Sequence, residues 1–566
     1  MKTASALWAL SSLLALTLAA CGGGGGSGST PVSTGPTSGP TGVTPNSSSG
    51  AITAFGSVFV NGHEFATGGA TVVDDDTGAT EQVAGLEVGQ VVDVDPASNS
   101  TASTPVAKLL HVHPLVRGDV DAWDDVADTL TVMGQVVSLD SATLFSDHRA
   151  CVNASTNACT PITDASGLTL TSTGSGGTTA GSYVSIDGYL FGGSSGSANV
   201  VATLVSVHDV PTGTGGAFYK VEGLVTAVTS TAGSTSLTIG NLQINLSGAT
   251  CYAGIGKSTA CAGAFATGDV VSVFATTAPT LPATTLNATF ALKRSRLPVQ
   301  TAGATVEFDG AVSSFTAASG STAASFVVRG VVVDTSGLAA GTALPAVGDL
   351  VSVVGTLSSD GLSVAATSIR ILHAARSVSY AFCGDETAIA AGSTADTYTL
   401  TVLGVPVVVS SQTRLSDHSA LRWFNLDPQA NPFNITTFQA YLTASTSQHV
   451  VVNAAKDSSG TLQALSVTIV PASTVSQLAG PVDASPAPVA GSSTAPTTFS
   501  IDGVPVSAAV SAISYTKHAQ TAIAAGDEVV TSGTFTAGVL TVGATRNFSN
   551  YVVDGGVPLR QDVPLL

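Results

Sequence analysis

Apolar and polar residues alternate along most of this chain in one pattern that recurs. An apolar-polar-apolar stretch is followed by a two-residue turn containing Gly and by a second such stretch. The copies are SVFVNGHEF (57–65), LTVMGQVVSL (130–139), LTIGNLQINL (237–246), FVVRGVVV (326–333), LTVLGVPVVV (400–409) and FSIDGVPVS (499–507). A period of two predicts half-buried strands, and Gly supplies the positive φ that a tight hairpin requires. We therefore predict a β-hairpin at each copy.

Further strands flank each hairpin. A leading strand precedes it, often with a Gly, as in VEFDGAV (306–312). Gly, a polar residue and V-x-V follow it, as in VGDLVSVVG (347–355), although the fifth copy, QHVVVNA (448–454), lacks the Gly. A closing strand such as ATSIRIL (366–372) ends the unit. Three strands, a variable loop and two more strands are typical of a small Greek-key barrel of the OB type, with an open sandwich as the alternative.

The pattern divides the chain into segments. We predict an all-β protein with a tandem array of about six small five-stranded OB-like Greek-key barrels. The predicted units are repeat 1 (51–114), repeat 2 (115–212), repeat 3 (213–298), repeat 4 (299–375), repeat 5 (376–474, with an insertion at 419–445) and repeat 6 with the C-terminal tail (475–566).

The repeated motifs resemble a known family. Bacterial lipoproteins exist with tandem copies of an uncharacterised β domain that carries V-N-G, T-x-F, V-G-D-x-V-x-V-x-G and A-x-x-I. Repeats 1 and 4 match this pattern best, and the resemblance extends over nearly all of 51–550. The motifs consist of structural glycines and core valines, so the resemblance implies a fold and no activity.

The N-terminus predicts export and a lipid anchor. Lys2 precedes an apolar stretch, and 1–20 has the form of a signal peptide. Leu18-Ala19-Ala20-Cys21 resembles the bacterial lipobox, in which the cysteine is acylated. Gly22 in place of Asp favours the outer membrane, by resemblance to lipoprotein sorting in enteric bacteria. Residues 21–50 are rich in Gly, Ser, Thr and Pro, and we predict a disordered tether there.

Composition narrows the classes of partner. Of the 566 residues 44% are hydrophobic and 10% are charged, which fits strands joined by turns. The net charge of −19 and the lack of a basic run argue against nucleic acid, because binding its backbone requires clustered Lys and Arg. No segment after the signal peptide reaches the roughly 18 apolar residues of a membrane-spanning helix.

Five cysteines follow Cys21. Cys151 and Cys159, and likewise Cys251 and Cys261, lie in the variable loop of consecutive repeats. Export permits disulfides, so we predict the local pairs Cys151–Cys159 and Cys251–Cys261. Cys383 is left over, either buried or available for an intermolecular link, and we favour burial.

Motifs of catalysis and attachment occur only out of context. Gly192–Gly196 matches G-x-S-x-G but lies in a Gly/Ser turn rather than between a strand and a helix. Gly256-Lys257-Ser258 lacks the leading Gly of a phosphate-binding loop. Arg117-Gly118-Asp119 falls where other repeats begin their first strand. We predict no catalytic residue, no cofactor and no enzyme activity.

Metal-binding motifs are similarly incomplete. Asp74–Gly78 begins like a calcium loop, but position 85 is Gly, so we favour a turn between strands. Ser146-Asp147-His148 and Ser416-Asp417-His418 occupy equivalent loops, with Lys517-His518 placed similarly in the last repeat. Each offers a single histidine. His111 and His113 lie on one strand face and form the better pair, yet without further ligands; we predict no metal site.

The insertion at 419–445 is the distinctive feature of repeat 5. It concentrates aromatic residues in a chain with 5% aromatics, and 434–442 predicts a short helix. We interpret it as a plug over one barrel end or as a stacking surface for a sugar ring or peptide. The residues of this speculative ligand patch are Trp423, Phe424, Phe433, Phe438 and Tyr441.

These patterns favour a non-enzymatic cell-envelope lipoprotein that serves as a scaffold or as an assembly and interaction protein. The alternative is an array that binds glycans or peptides through the insertion of repeat 5. An outer-membrane barrel and an enzyme are the weaker hypotheses. The expected partners are the membrane, through Cys21, and a glycan or an envelope protein.

Overall fold

The computed structural model describes residues 47–55, 57–96, 105–124, 127–139, 143–153, 159, 162, 165–174, 177–192, 198–210, 219–231, 234–254, 258–279, 284–320, 322–373, 379–392, 397–417, 435–444, 447–457, 459–470, 472–515, 521–544 and 551–554. They belong to one compact unit, Ser38–Leu566. The described secondary structure is almost entirely β, as the alternation predicted.

The strands are grouped by the predicted repeat in which most of their residues lie. Repeat 1 contains β1 (Ser47–Phe55), β2 (Val58–Val60), β3 (His63–Phe65), β4 (Thr71–Asp74), β5 (Thr80–Glu81), β6 (Val91–Pro96) and β7 (Ala107–Val112). Repeat 2 contains β8 (Val116–Asp124), β9 (Thr129–Val132), β10 (Gln135–Ser138), β11 (Leu144–Asp147), β12 (Ser172–Gly174), β13 (Gly177–Thr179), β14 (Tyr183–Leu190) and β15 (Val200–His208). Repeat 3 contains β16 (Tyr219–Thr231), β17 (Ser234–Ile239), β18 (Leu242–Asn245), β19 (Thr250–Tyr252), β20 (Ser258–Thr259), β21 (Val270–Ala275), β22 (Thr285–Asn287) and β23 (Phe290–Arg294).

The remaining strands continue the series. Repeat 4 contains β24 (Thr305–Thr316), β25 (Ser325–Val328), β26 (Val331–Asp334), β27 (Leu350–Leu357) and β28 (Ser363–His373). Repeat 5 contains β29 (Ser379–Ala391), β30 (Thr397–Val402), β31 (Val405–Ser410), β32 (Arg414–Asp417), β33 (His449–Lys456) and β34 (Leu462–Ile469). Repeat 6 contains β35 (Ser476–Pro481), β36 (Thr497–Ile501), β37 (Val504–Ala508), β38 (Ile513–Tyr515), β39 (Glu528–Thr536), β40 (Val539–Val542) and β41 (Tyr551–Asp554). The described α-helices are α1 (Ala150–Asn153) and α2 (Ile435–Ala444), the latter where the sequence predicts a helix.

Repeat 4 shows the barrel in its simplest form. Its first strand, β24, pairs antiparallel with β25 and with β27. The hairpin β25–β26 continues to β28, which runs parallel to β26 and antiparallel to β27. The five strands therefore close into a ring in the order first, second, third, fifth, fourth. The same parallel contact between third and fifth strands recurs as β10–β15, β18–β22, β31–β34 and β37–β40. Closure into multiple small five-stranded barrels excludes the open sandwich.

The predicted hairpin turns have the required backbone. Asn61-Gly62 has φ values of 56° and 80°, and Asp502-Gly503 has 46° and 78°. Positive φ at both turn residues matches the right-handed twist of the flanking strands. Met133, Arg329 and Leu403 adopt the same unusual conformation directly before Gly. The hairpin pattern was thus correctly interpreted in the sequence.

The barrels are joined by shared sheets. β8 of repeat 2 pairs with β16 of repeat 3, and β29 of repeat 5 pairs with β35 of repeat 6, both antiparallel. Repeats 1 and 4 join through β1, whose residues 47–49 run parallel to 306–308 of β24. The tether predicted for 21–50 therefore ends earlier, because residues 47–50 already belong to a buried strand.

Polar contacts connect repeats 1, 2 and 4 around β1. The backbone N–H of Ala51 donates to the Tyr189 hydroxyl at 3.0 Å. The Arg329 guanidinium donates to Ser49 Oγ at 2.7 Å and stacks over the Tyr189 ring. Because such buried polar groups are costly without partners, these contacts fix the relative positions of the three repeats. They also form one side of the cleft described next.

Candidate ligand-binding cleft

A large cleft lies between repeats 1, 2, 3 and 4. Its volume is about 1240 Å³, above the range of roughly 300–1,000 Å³ of most small-molecule pockets. Repeat 1 contributes acidic and histidine side chains, and repeat 3 contributes basic and aromatic ones. Gly188 and Leu190 of repeat 2 and Arg329 of repeat 4 also line the cleft.

The turn at 74–78 carries two aspartates to the cleft. Asp74 Oδ1 accepts hydrogen bonds from the backbone N–H groups of Asp76 at 2.8 Å and Thr77 at 3.3 Å. This arrangement holds a tight turn between β4 and β5, and Gly78 completes it with a φ of 70°. The turn interpretation of this segment is correct, and the side chains of Asp75 and Asp76 point to protein partners.

Those partners come from the outer face of repeat 3. Alternation along β16 places Val221 in the barrel core and turns Lys220 and Glu222 outward, toward repeat 1. Lys220 is fully buried there, with its Nζ 2.6 Å from Asp76 Oδ1 and 3.3 Å from Glu222 Oε2. A buried ammonium requires such compensation, since desolvation of an unpaired charge is prohibitive.

Arg294 and Ser272 complete what we call the buried charge cluster, namely Asp75, Asp76, Lys220, Glu222, Ser272 and Arg294. The Arg294 guanidinium lies 3.0 Å from Asp76 Oδ1 and donates through Nε to Ser272 Oγ at 2.8 Å. Ser272 in turn donates to Glu222 Oε2 at 2.5 Å. Burial alone would raise the pKa of Glu222, but Lys220, His113 and Arg294 lower it to about 2. Glu222 is therefore ionised at neutral pH.

His111 and His113 face different carboxylates. His111 Nδ1 lies 2.8 Å from Asp75 Oδ1, and this hydrogen bond raises the pKa of His111. His113 Nε2 lies 3.6 Å from Glu222 Oε1. Each histidine therefore faces a carboxylate of the cluster. Among the described residues, no group of three or more His, Cys, Asp or Glu side chains is arranged to hold a metal ion.

Within the described part of the chain, three buried atoms of cleft-lining residues have no hydrogen-bond partner. They are Asp76 Oδ2, His113 Nδ1 and Arg329 Nε. The Asp76 side chain is fully buried, so Oδ2 is desolvated without a hydrogen-bond donor that would compensate for the lost hydration. Unsatisfied polar atoms next to a cavity are the positions at which a ligand or an ordered water can bind.

Aromatic rings form another wall. Phe274 and Phe290 are opposed on β21 and β23 and stack with centroids 4.2 Å apart. Tyr252 lies on β19, which runs parallel to β23 in a register that pairs Thr250 with Phe290. Tyr252 is therefore on the same face of the sheet as Phe290, and both line the cleft.

The aromatic patch predicted in repeat 5 is only partly described. Phe438 on α2 is fully buried in the repeat 5 core, so it cannot serve as a stacking surface. This residue corrects the patch hypothesis and supports the plug interpretation. Tyr441 is partly exposed, as that hypothesis requires. Trp423, Phe424 and Phe433 lie outside the described residues, as does Cys21.

The cysteine predictions agree with the structure. Cys151–Cys159 and Cys251–Cys261 are both disulfide bonds. Cys383 is a buried free thiol.

The repeated Asp-His loop is structural in its first copy. Asp147 binds the Arg149 guanidinium at 2.6 Å, and His148 Nε2 lies 2.8 Å from Glu87 of repeat 1. His148 also stacks on His208. In the second copy Asp417 is buried, whereas His418, like Lys517 and His518 of the last repeat, is outside the described residues.

A Cys–His–Asp arrangement in repeat 5 escaped the sequence analysis. Cys383 Sγ lies 3.3 Å from His449 Nε2, and His449 Nδ1 lies 2.8 Å from Asp385 Oδ1. The residues are 66 positions apart, and only the β29–β33 register brings them together. Burial raises the pKa of Cys383 to about 12, and 2% of the residue is exposed. A nucleophile must be accessible and form a thiolate, and the burial of Cys383 opposes both.

The family comparison agrees with the repeated barrels. The model of the domain of unknown function DUF5666 matches residues 49–108, 117–203, 222–284 and 388–468, just over half of the chain. The chain belongs to the DUF5666 family. The matches lie in repeats 1, 2, 3 and 5. None falls in 299–375, although the sequence analysis placed repeat 4 among the best matches to the family pattern.

The family assignment supports tandem copies of an uncharacterised domain. No curated protein matches this DUF5666 chain. Within the described part of the chain, no helix has the length and apolar character needed to cross a membrane. Function must therefore be argued from the cleft.

Proposed function

We propose that this DUF5666 protein is a lipid-anchored, non-enzymatic binding protein of the bacterial cell envelope, with its ligand site in the cleft between repeats 1 to 4. The observation that carries the proposal is the cleft itself, with unpartnered Asp76 Oδ2 and His113 Nδ1 beside an aromatic wall. Large pockets with a few convergent polar groups are the usual form of a ligand site.

The strand order supports assignment of the barrels to the OB type. We propose that all six predicted repeats are OB-like. The order first, second, third, fifth, fourth recurs in the strand pairings of repeats 2 to 5, and single β-bridges, Ala66–Val106 and Val482–Ile501, complete it in repeats 1 and 6. Barrels of this type bind oligosaccharides and oligonucleotides through their strand faces and loops. Here the ligand site is formed where barrels meet, which relocates the binding hypothesis from the repeat 5 insertion.

The non-enzymatic assignment rests on the state of the charged groups. Lys220, Glu222 and Arg294 are engaged in mutual ion pairs, and Glu222 remains ionised at neutral pH. Groups held in such ion pairs are poor general acids and bases, because that role needs a pKa near the working pH and access to substrate. His111, which also lines the cleft, is hydrogen-bonded to Asp75.

A screen of the mature, detergent-purified protein tests the binding proposal. Thermal unfolding is measured with sugars, polyamines, amino acids and short peptides. A ligand that binds only the folded state raises the midpoint in proportion to ln(1 + [L]/Kd). We expect at least one class to raise it in wild type and in Tyr441→Ala but much less in Tyr252→Ala. The absence of any such class, or equal shifts in both variants, would contradict the proposal.

The proposed anchor has a separate test. Wild-type cells grown with radiolabelled palmitate should yield labelled protein, and Cys21→Ser should yield none at equal expression. Cys383→Ser is the matched control and should retain the label. Label that persists in Cys21→Ser would refute the anchor.

A second candidate function is that of an assembly scaffold. It is favoured by exposed apolar side chains in repeat 4, including Val332, Val347 and Leu362. Apolar surface of this kind marks protein contacts when it is contiguous. Crosslinking in cells, with and without Val332→Asp, measures whether a partner occupies this repeat.

A further inference from the structure

The charge balance of the cleft restricts its ligand. Its lining contains seven Asp and Glu residues against four Lys and Arg residues. The whole chain carries a net charge of −19. An anionic ligand would therefore be repelled both at long range and within the cleft.

Cations are disfavoured at the buried end for a different reason. Lys220 Nζ and Arg294 Nη2 both lie against Asp76 Oδ1, at 2.6 and 3.0 Å. Any ligand group that reaches Asp76 Oδ2 is a close neighbour of these two charges. A ligand ammonium there would face two like charges in a poorly solvated site, which is costly. A neutral donor meets no such penalty.

The unpartnered atoms define the complementary chemistry. Asp76 Oδ2 is an acceptor that lacks a donor, and His113 Nδ1 donates or accepts according to its tautomer. A hydroxyl group both donates and accepts, so neighbouring hydroxyls of one ligand satisfy both atoms. The carbon face of a sugar ring also fits against Tyr252 and Phe290, whose rings offer apolar area.

We propose that the cleft binds a neutral oligosaccharide, an inference that rests on the proposed binding function and specifies its ligand. Asp76 Oδ2 and His113 Nδ1 bind hydroxyl groups, and Tyr252 with Phe290 packs against sugar rings. The volume of about 1240 Å³ favours an oligomer over a single small molecule.

The test uses the mature protein on an array of neutral and charged oligosaccharides, followed by calorimetric titration. The titrated probes are chitotetraose, maltotetraose and the strongest neutral array hit, with trigalacturonic acid as the anion and spermidine as the cation. We expect saturable one-to-one binding of a neutral probe only. Tyr252→Ala should weaken it about tenfold or more, as expected for loss of a stacking ring.

Three variants make the result interpretable. Tyr441→Ala removes a partly exposed tyrosine outside the cleft and should leave affinity within twofold of wild type. Tyr252→Phe keeps the ring and should retain binding, which separates stacking from misfolding. His113→Phe removes the unpartnered Nδ1 together with Nε2, which faces Glu222, while keeping a ring of similar shape, and should weaken binding at least fivefold.

The outcomes distinguish failure of the proposed ligand class, a neutral oligosaccharide, from failure of the proposed binding function of the cleft. Binding of spermidine or trigalacturonic acid that is sensitive to Tyr252→Ala, without neutral binding, would refute the ligand class and leave the cleft as a binding site. Neutral binding unaffected by Tyr252→Ala and His113→Phe would refute both. No neutral hit on the array would refute the ligand class, while the thermal screen decides the binding function.

Discussion

The turn residue of several hairpins lies directly over a glycine of the first strand. A Cβ at Gly384 would lie 2.6 Å from Leu403 Cδ2, and one at Gly118 would overlap Met133. Leu403 and Met133 adopt positive φ in their turns and bury their side chains against the barrel. The glycines of the leading strands therefore leave room for the side chains of the turn residues. This explains why a Gly recurs in the leading strands of the sequence pattern.

Gly355, on β27 of repeat 4, allows a test of another close approach, between a glycine and the backbone of a neighbouring strand. A Cβ at this position would overlap the carbonyl oxygen of Ala365 on the neighbouring strand, where the register shifts at a β-bulge. Because backbone cannot move aside cheaply, Gly355→Ala should destabilise the protein by about 2–3 kcal/mol in urea denaturation. Gly68→Ala, with no atom within 4 Å of its added Cβ, should change stability little. Equal effects would contradict the packing argument.

Cys383 should be chemically inert in the folded protein. Its burial and raised pKa leave almost no thiolate at pH 7.5. Iodoacetamide should therefore leave Cys383 unmodified in native protein and alkylate it fully in urea, as measured by peptide mass spectrometry. Rapid native alkylation would mean an accessible thiolate, and the trio with His449 and Asp385 would again be a catalytic candidate.

Two buried aspartates should make stability fall as the pH rises. Burial raises the pKa of Asp309 to about 7, and that of Asp187 likewise. The unfolded carboxyl loses its proton near the ordinary value of 3.8, whereas the folded one keeps it up to about pH 7. The folded state thus binds more protons in this interval, and its added stability is present at low pH and lost by pH 7.

Asp309→Asn isolates this effect. The variant should lose less stability than wild type between pH 5 and pH 8, by roughly 2–3 kcal/mol in urea denaturation. Asp334→Asn, at an exposed aspartate of the same repeat, should follow wild type. A wild-type profile in Asp309→Asn would show that Asp309 is ionised in the folded state.

At the scale of elements, the hairpins and the five-stranded units could be predicted, but their docking could not. Periodicity and Gly-containing turns are local signals, and they located the hairpin of every repeat but not the short strands of the variable loops, such as β11 and β32. Docking depends on the first strand, whose two halves pair with different strands. Residues 379–385 of β29 pair with β33, and 386–391 pair with β30. The first half therefore keeps one open edge, and β35 pairs with it at 381–383.

The Cys251–Cys261 disulfide should stabilise the variable loop of repeat 3. It closes a loop with a sequence separation of 10 and places Cys251 in the barrel core. Replacing both cysteines by Ala should cost about 2–3 kcal/mol by the chain-entropy argument. Reduced wild type is the matched comparison and should lose a similar amount. Free thiols at both positions in non-reduced protein, detected by mass spectrometry, would refute the bond.

At the scale of the whole molecule, the candidate site is a property of docked repeats. The sequence drew attention to Asp74–Gly78, His111 and His113 as incomplete metal motifs, because their partners were not visible. Those partners, Lys220 and Glu222, lie more than a hundred positions away and face repeat 1 only because β16 docks on β8. Local patterns contain no information on such contacts between repeats. The cleft therefore emerges from the structure alone.

Hydrogen–deuterium exchange with the bound neutral oligosaccharide tests the location of the site most directly. The mature protein is compared with and without a saturating amount of the tightest neutral probe. We expect slower exchange in peptides that contain His113, Tyr252 and the strand β23, and unchanged exchange around Tyr441. Protection confined to peptides of 419–445 would contradict the cleft as the binding site and place the ligand on the repeat 5 insertion.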